Sequence, residues 1–407
     1  MIATDFLDTT EKKLLDTNYK LLLEKYYKGL SHDFSLFKRV PFLVNDDLLI
    51  EFQRLIKILN TVLKKIVLNY FENERIQQLF DLDEELENIL KLGVSIPYEV
   101  GMYRPDILFD KQGRPKICEI GCRYPINGWM ISYYMNEILQ EVYALYSKCK
   151  PISHQTNLIK EIANSFHKNE LIYYVHNKEK GTEAYLFFDE LNKLGYKIKD
   201  VSPNDFYVIT EKLMVGENRA TQFILEMDRE ELKDIDAEVL KHLIRSEKCI
   251  NDIRTIILVH DKRILSVLYD AEVMKSFIST EDYTFLKKFL IPSYPLIDEN
   301  LINTLKTTND NWILKKSSGG RGIDMYVKDE TTKEEWHRIL DNERSNYMVQ
   351  QYVDQQVYTF ENQELHMVGM LLAYNEKSYG LGIYRGSGES VINVHSGAYI
   401  FPSAVKR

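Results

Sequence analysis

Residues 104–125 read RPDILFDKQGRPKICEIGCRYP, two short apolar runs on either side of the polar loop KQGR. Apolar runs of this length around a glycine-containing loop predict a β-hairpin. Pairing Asp110 with Pro115 across the loop places Leu108 opposite Ile117 and Asp106 opposite Glu119. Like charges facing each other destabilise a sheet, so such a pair shares a proton, gains a cationic neighbour or holds a metal. Hard carboxylate oxygens suit magnesium. Arg104 and Arg123 lie just outside the two strands and offer plain ion pairing instead, so the stretch alone leaves both readings open. Cys118 and Cys122 have no His or further Cys close in sequence, and zinc normally takes four ligands. They are expected to be buried or incidental thiols.

Upstream, residues 9–92 carry helical apolar spacing, with Asn45 placed to cap one helix and acids crowding its first turn. That region reads as scaffold. Downstream, residues 171–201 read strand, loop, helix from Thr182 to Leu194, a Gly195 cap, then strand. This is a βαβ unit without a GxGxxG turn. The charged run DREELKDIDAEVLKHLIRSEK follows and reads as a solvated helix face. The stretches WILKKSSGGRGIDMYV, YMVQQYV and VGMLLAYNEKSYGLGIYR then look like strands of one antiparallel sheet.

Several features of those last stretches bear on chemistry. Lys315 and Lys316 end a strand before Gly319, Gly320 and Gly322, and glycines let backbone N–H groups turn toward a phosphate while lysine supplies a compact charge. The lysine precedes the glycines, so this is not a GxxxxGK[ST] loop. Lys262 and Arg263 open an apolar helix, Gln350 and Gln351 end a strand, and Arg385, Asn393 and His395 stand among C-terminal glycines. An arginine placed there suits a carboxylate or a phosphoryl group. His395 has no Ser or Cys nucleophile pattern near it and reads as structural or substrate-adjacent.

Composition sets outer bounds. In 407 residues, 44% hydrophobic and 12% aromatic, there is enough apolar material for two or three domains. With 61 acidic against 52 basic residues the net charge is −9, which argues against a nucleic-acid footprint but leaves room for a local basic pocket. The first residues do not read as a secretory signal, no run reaches the roughly 18 apolar residues of a membrane span, and the four cysteines are too scattered for a disulfide framework. A cytoplasmic protein with no nucleic-acid or membrane partner is expected.

Taken in order, RPDILFDKQGRPKICEIGCRYP, ILKKSSGGRGIDMYV and YMVQQYV resemble the circularly permuted ATP-grasp ligases, the group that includes eukaryotic-type glutathione synthetase and glutathionylspermidine synthetase. The acidic block precedes the lysine and glycine loop, which is the permuted order, and the resemblance spans residues 95–407. It implies an α/β chain with a circularly permuted ATP-grasp fold, an inserted βαβ substrate domain and a helical N-terminal region. The corresponding boundaries are 1–94, 95–165, 166–250 and 251–407. It implies ATP and Mg²⁺ as cofactors, and a carboxylate activated as an acyl phosphate that an amine of a small amino acid or peptide then attacks. Asp106 and Glu119 match the metal-binding acids, and Arg104 the arginine that meets the carboxylate or acyl phosphate. Lys262 and Lys315 match the phosphate lysines, and Gly319, Gly320 and Gly322 the covering loop. Gln350 and Gln351 fall at the adenine hinge, and Arg385 follows as a second catalytic arginine. Arg123, Asn127 and Asn393 are expected on the substrate side, and a homodimer is compatible with the pattern.

Two positions depart from that group. Gly121 replaces the asparagine of EIN, and Gly319 stands where glutathione synthetase carries a further metal-binding acid. These departures keep two alternatives open: an ATP-binding regulator without turnover, and a phosphotransferase on the same fold.

Overall fold

The structure is a computed structural model, and it describes residues 9–30, 33–142, 149–246, 248–319, 322–392 and 397–406. Its class is α/β, as the sequence leads one to expect, with helices packed around several sheets.

The hairpin forms and becomes one side of the central sheet. Met102–Phe109 pairs antiparallel with Pro115–Gly121, and Asp106 does face Glu119. Nearer the loop the register differs from expectation, because Phe109 pairs with Pro115, Leu108 with Lys116 and Ile107 with Ile117. The Asp110 carboxylate explains the difference: it accepts from the backbone N–H groups of Gln112 at 3.0 Å and Arg114 at 2.9 Å, and so belongs to the turn. Cys118 is then the extra residue of a β-bulge that restores the pairing of Asp106 with Glu119.

Behind the hairpin the sheet runs Met102–Phe109, Gln363–Tyr374, Lys377–Ser387, Tyr399–Phe401, all antiparallel, with Tyr358–Phe360 on Gln363–Tyr374. This corrects the expectation of a single C-terminal sheet. Trp312–Lys316 and Tyr347–Gln351 instead sit in a separate antiparallel sheet with Ser293–Pro295 and Met325–Val327. That sheet buries Leu314 and Val349 against Ile302, Leu305, Trp336 and Ile339 of its own two helices, Glu299–Thr307 and Lys333–Asn342.

The βαβ unit forms one side of a four-stranded parallel sheet ordered Lys248–Ile250, Gln222–Glu226, Leu171–His176, Lys197–Val201, the last of these at the edge. Its helix is Ala184–Lys193, slightly shorter than the spacing predicts, and Gly195 takes φ +85° just beyond it.

In the N-terminal region the helix Asp46–Leu68 starts where Asn45 accepts from the Leu48 N–H and lays Phe52, Leu55, Ile56 and Leu59 into the core beneath Lys377–Ser387. The region is not purely helical. Phe42–Val44 is a strand, paired in parallel with residues 403–405, and Phe42 stacks on Tyr384 with ring centroids 4.0 Å apart. Among the described residues no helix is long and apolar enough to cross a membrane.

Candidate active site

A cavity of about 510 Å³ lies where the hairpin, the lysine-bearing sheet and the carboxyl ends of the parallel strands meet. Sites in α/β proteins commonly form at such strand ends. Of the residues expected in a site, Arg104, Asp106, Glu119, Arg123, Asn127, Lys315, Gly319, Gly322, Gln350, Gln351 and Arg385 all line it. Lys262 stands behind the wall and reaches Glu119. Gly320, Asn393 and His395 lie outside the described residues.

The two hairpin acids occupy different electrostatic surroundings. Burial pushes the Glu119 carboxyl up, but Lys262, Lys315, His260 and Arg385 more than offset it and hold it at about 2. The nearest of these contacts is Lys262 Nζ, 3.6 Å from Glu119 Oε1. Burial raises the Asp106 carboxyl above the usual range; Arg385 opposes the rise and the Glu119 charge adds to it. The arginine that ion-pairs with Asp106 is Arg385, arriving from the strand Lys377–Ser387, rather than either of the hairpin's flanking arginines.

Arg104 makes no ion pair or hydrogen bond with the described residues, although it lines the cavity and burial lowers its pKa. Its guanidinium occupies the space that a side chain at position 121 would take: a Cβ on Gly121 would fall 3.0 Å from Arg104 Nη2. Gly128, at φ +82°, flanks it on the other side, where a Cβ would fall 3.4 Å from Nη1. The residue that departs from the look-alike pattern therefore makes room for a half-buried, unpaired cation.

At the lysine end, Lys315 is 4% exposed and donates to the Cys118 carbonyl at 2.8 Å and to Gln350 Oε1 at 2.7 Å. Gln350 in turn donates to Ser293 Oγ at 2.9 Å, so its side chain supports the lysine, leaving the exposed Gln351 at the strand end. Lys262 holds the glycine turn from both directions, through its N–H to the Ser317 carbonyl and its Nζ to the Gly319 carbonyl, each at 3.0 Å. Gly319 has φ +87° with open space around its missing Cβ, so backbone conformation is what calls for glycine there. Arg263 is not a solvated base: it is buried against Asp261, which also pairs with Arg229.

At the opposite end Arg123 is held by Asp228 at 3.2 Å and Glu179 at 3.4 Å, and Asn127 Oδ1 accepts from the Glu183 N–H at 3.3 Å. Asp228, Glu183 and His260 line the cavity without having been singled out in the sequence. Burial, with Lys262 adding, lowers His260 to about 4, so its imidazole is neutral at ordinary pH. Asp228 opens the charged run read as a solvated helix face; its carboxylate caps that helix as well as holding Arg123.

For a metal, the fit is partial in an informative way. Asp106 and Glu119 face each other, and the Glu119 carboxylate accepts no hydrogen bond from the described residues. No third His, Cys, Asp or Glu joins them to make a cluster among the described residues, and Asp324 is taken up by Lys316 at 2.9 Å. Magnesium is commonly held by one or two carboxylates plus substrate phosphates and water. The donor set suits a magnesium ion that arrives with a nucleotide.

Residues 55–258 match the AnkG N-terminal domain family. The chain belongs to that family. The AnkG-family span carries the acidic hairpin and the parallel sheet, and it stops short of Lys262 and the lysine-bearing sheet. A curated relative, the ATP-grasp enzyme ankG of Aspergillus thermomutatus, is 24% identical over 388 residues, covering 80% of this AnkG-family chain and 79% of the relative. A solved structure described as a gamma-glutamylcysteine synthetase from Methylobacillus flagellatus KT covers 88% of each chain at 11% identity and a TM-score of 0.42, a superposition too loose to bear on fold or activity.

Proposed function

We propose that this chain is an ATP-dependent carboxylate–amine ligase that forms an amide or peptide bond on a small amino acid or peptide through an acyl phosphate. The observation that carries the reading is the convergence of Lys262 and Lys315 on Glu119, opposite Asp106, in one cavity with the unpaired Arg104. The name of the curated relative, an ATP-grasp enzyme, agrees with it.

The roles follow from charge and position. Lys315, Lys262 and the glycine turn offset phosphate charge, and Asp106 and Glu119 would hold magnesium, which when bound neutralises the polyphosphate. Ile291, Ile313 and Met325 offer an apolar wall beside Gln351 for the base. Arg104 meets the acid's carboxylate and then the acyl phosphate, where a desolvated guanidinium is most effective. Arg385, paired with Asp106, lines the same cavity and would be free to meet the transferred phosphoryl group if a cation took up that carboxylate.

The test is a screen of amino acids and small carboxylic acids, in pairs with amines, for ATP-dependent phosphate release, with mass spectrometry of the products. An amide plus ADP supports the ligase. A phosphorylated acid that accumulates as the stable final product, with no dependence on amine, would assign a phosphotransferase, and calorimetric ATP binding without any ADP would assign a binding-only regulator.

A substitution at Gly121 tests the role of Arg104. Gly121→Asn places atoms where the guanidinium now lies, and the expected result is a KM for the acid raised about 10- to 100-fold, the scale of one lost charge-assisted contact. ATP affinity should stay near wild type. An unchanged KM would show that Arg104 does not bind the acid.

A further inference from the structure

We propose that Glu183 is the catalytic base that takes the proton from the attacking amine. The inference rests on the ligase reading and adds to it a residue for the second half of the reaction.

Glu183 lies between the parallel strand Leu171–His176 and the helix Ala184–Lys193, and it lines the cavity while only 3% exposed. Its carboxylate is fixed in place. Oε1 accepts from the Gly128 N–H at 2.6 Å and Oε2 from the Ile131 N–H at 2.9 Å. The Met130 N–H also acts on this carboxylate, and of its roughly four lone-pair sites at least one stays open.

Its position relative to Arg104 follows from Gly128. The N–H of Gly128 bonds Glu183, a Cβ on Gly128 would meet Met370 first and Arg104 Nη1 at 3.4 Å, and the Arg104 charge acts on the Glu183 carboxyl. Carboxylate and guanidinium therefore approach each other around one glycine. An amine attacking an acyl phosphate held by Arg104 arrives beside Glu183.

The other acids lining the cavity are committed elsewhere. Asp106 pairs with Arg385, Glu119 with Lys262, Glu179 and Asp228 with Arg123, and Asp324 with Lys316. Among the described acids of the cavity wall, Glu183 alone forms no ion pair. Glu226, also buried, accepts from Tyr174 and Gly181 and does not line the cavity. Burial raises the Glu183 carboxyl to about 7 against the pull of the Gly128, Ile131 and Met130 N–H groups and of the Arg104 charge, which suits a group that must accept and release a proton near neutrality.

In the step itself the incoming ammonium gives one proton to a Glu183 oxygen, and the freed nitrogen lone pair forms the C–N bond to the acyl carbon. The C–O bond to phosphate breaks with its electron pair leaving on phosphate, which takes up the second nitrogen proton as hydrogen phosphate. Bulk water collects the Glu183 proton after product release.

The experiment compares two nucleophiles in Glu183→Gln and Glu183→Asp. Hydroxylamine is already the free base at neutral pH and traps acyl phosphates as hydroxamates without a dedicated base, whereas an ordinary amine arrives as an ammonium and must give up a proton before it can attack. The expected result is a loss of amide formation by about 10²- to 10⁴-fold in Glu183→Gln, with ATP-dependent hydroxamate formation at the wild-type rate. Glu183→Asp, which withdraws the carboxylate by one methylene, should show the same split to a smaller degree. Equal loss with both nucleophiles, or an unchanged amide rate, would overturn the proposal. Absence of hydroxamate from the wild-type enzyme would instead overturn the ligase reading.

Discussion

Glu119→Gln is expected to lower ADP formation by about 10²- to 10³-fold, the scale on which removal of one preorganised electrostatic group is felt at a transition state. The substitution keeps shape and deletes charge. Lys262 and Lys315, each 4% exposed, then face each other's charge without the carboxylate on which both act. Lys315, whose pKa burial already lowers, should shed its proton more readily still. Asp106→Asn should cost turnover on the same scale, and by another route, since it releases Arg385 as well as removing an oxygen proposed to hold magnesium. Because the two acids share one site, the double variant should be little worse than either single one. A coupled ADP assay measures this, and Mn²⁺ titration of the nucleotide complex should show weakened metal binding in both. Full turnover in either variant would remove the hairpin acids from the mechanism.

The largest effect on stability is expected at Gly369. It faces Tyr384 across the central sheet, and a Cβ there would fall 2.4 Å from the ring Cζ and 2.5 Å from Cε1. The ring has nowhere to go: Tyr384 is fully buried, stacked on Phe42 and flanked by Phe109. Overpacking of this kind costs about 3 kcal/mol, the upper part of the usual range. Gly369→Ala should therefore lower the urea midpoint with no change in the slope of the transition. Gly386→Ala should cost less, since its added Cβ would meet the adaptable thioether of Met367 at 2.7 Å and the Phe401 ring only at 2.9 Å. Because Gly369 also pairs with Ile107, next to Asp106, the alanine variant should lose activity before it loses its fold. A midpoint equal to wild type would show that the sheet yields more easily than its packing suggests.

What could be read from the sequence was local. Asp106 opposite Glu119 needs only the two strands and the short loop between them, and the bulge at Cys118 cancels the error made at Asp110. Asn45 and Gly195 announce helix ends through backbone chemistry that acts within a few residues. The site's wider composition was less accessible. Arg385 reaches Asp106 from 279 residues away, and no periodicity specifies that pairing. Glu183 and His260 belong to no motif; burial and neighbours give them their character, and those are properties of the folded chain. The strand Phe42–Val44 was hidden for the same reason, since three residues carry no recognisable alternation until the partner strand is known.

The way the sheets are threaded also sets when the site comes into being. Residues 102–121 wait for residues 363–387 to complete the central sheet, and Phe42–Val44 waits for Ser403–Lys406. Closing such distant contacts slows folding and leaves unpaired strand edges exposed in the interval. On the ribosome the acidic hairpin emerges long before the arginine that pairs with Asp106, so its two facing carboxylates stand without that partner while most of the chain is still being made. The complete cavity therefore arrives late in biosynthesis, and a nascent chain stalled before residue 363 holds the hairpin's acids with neither their arginine nor a finished sheet to carry them.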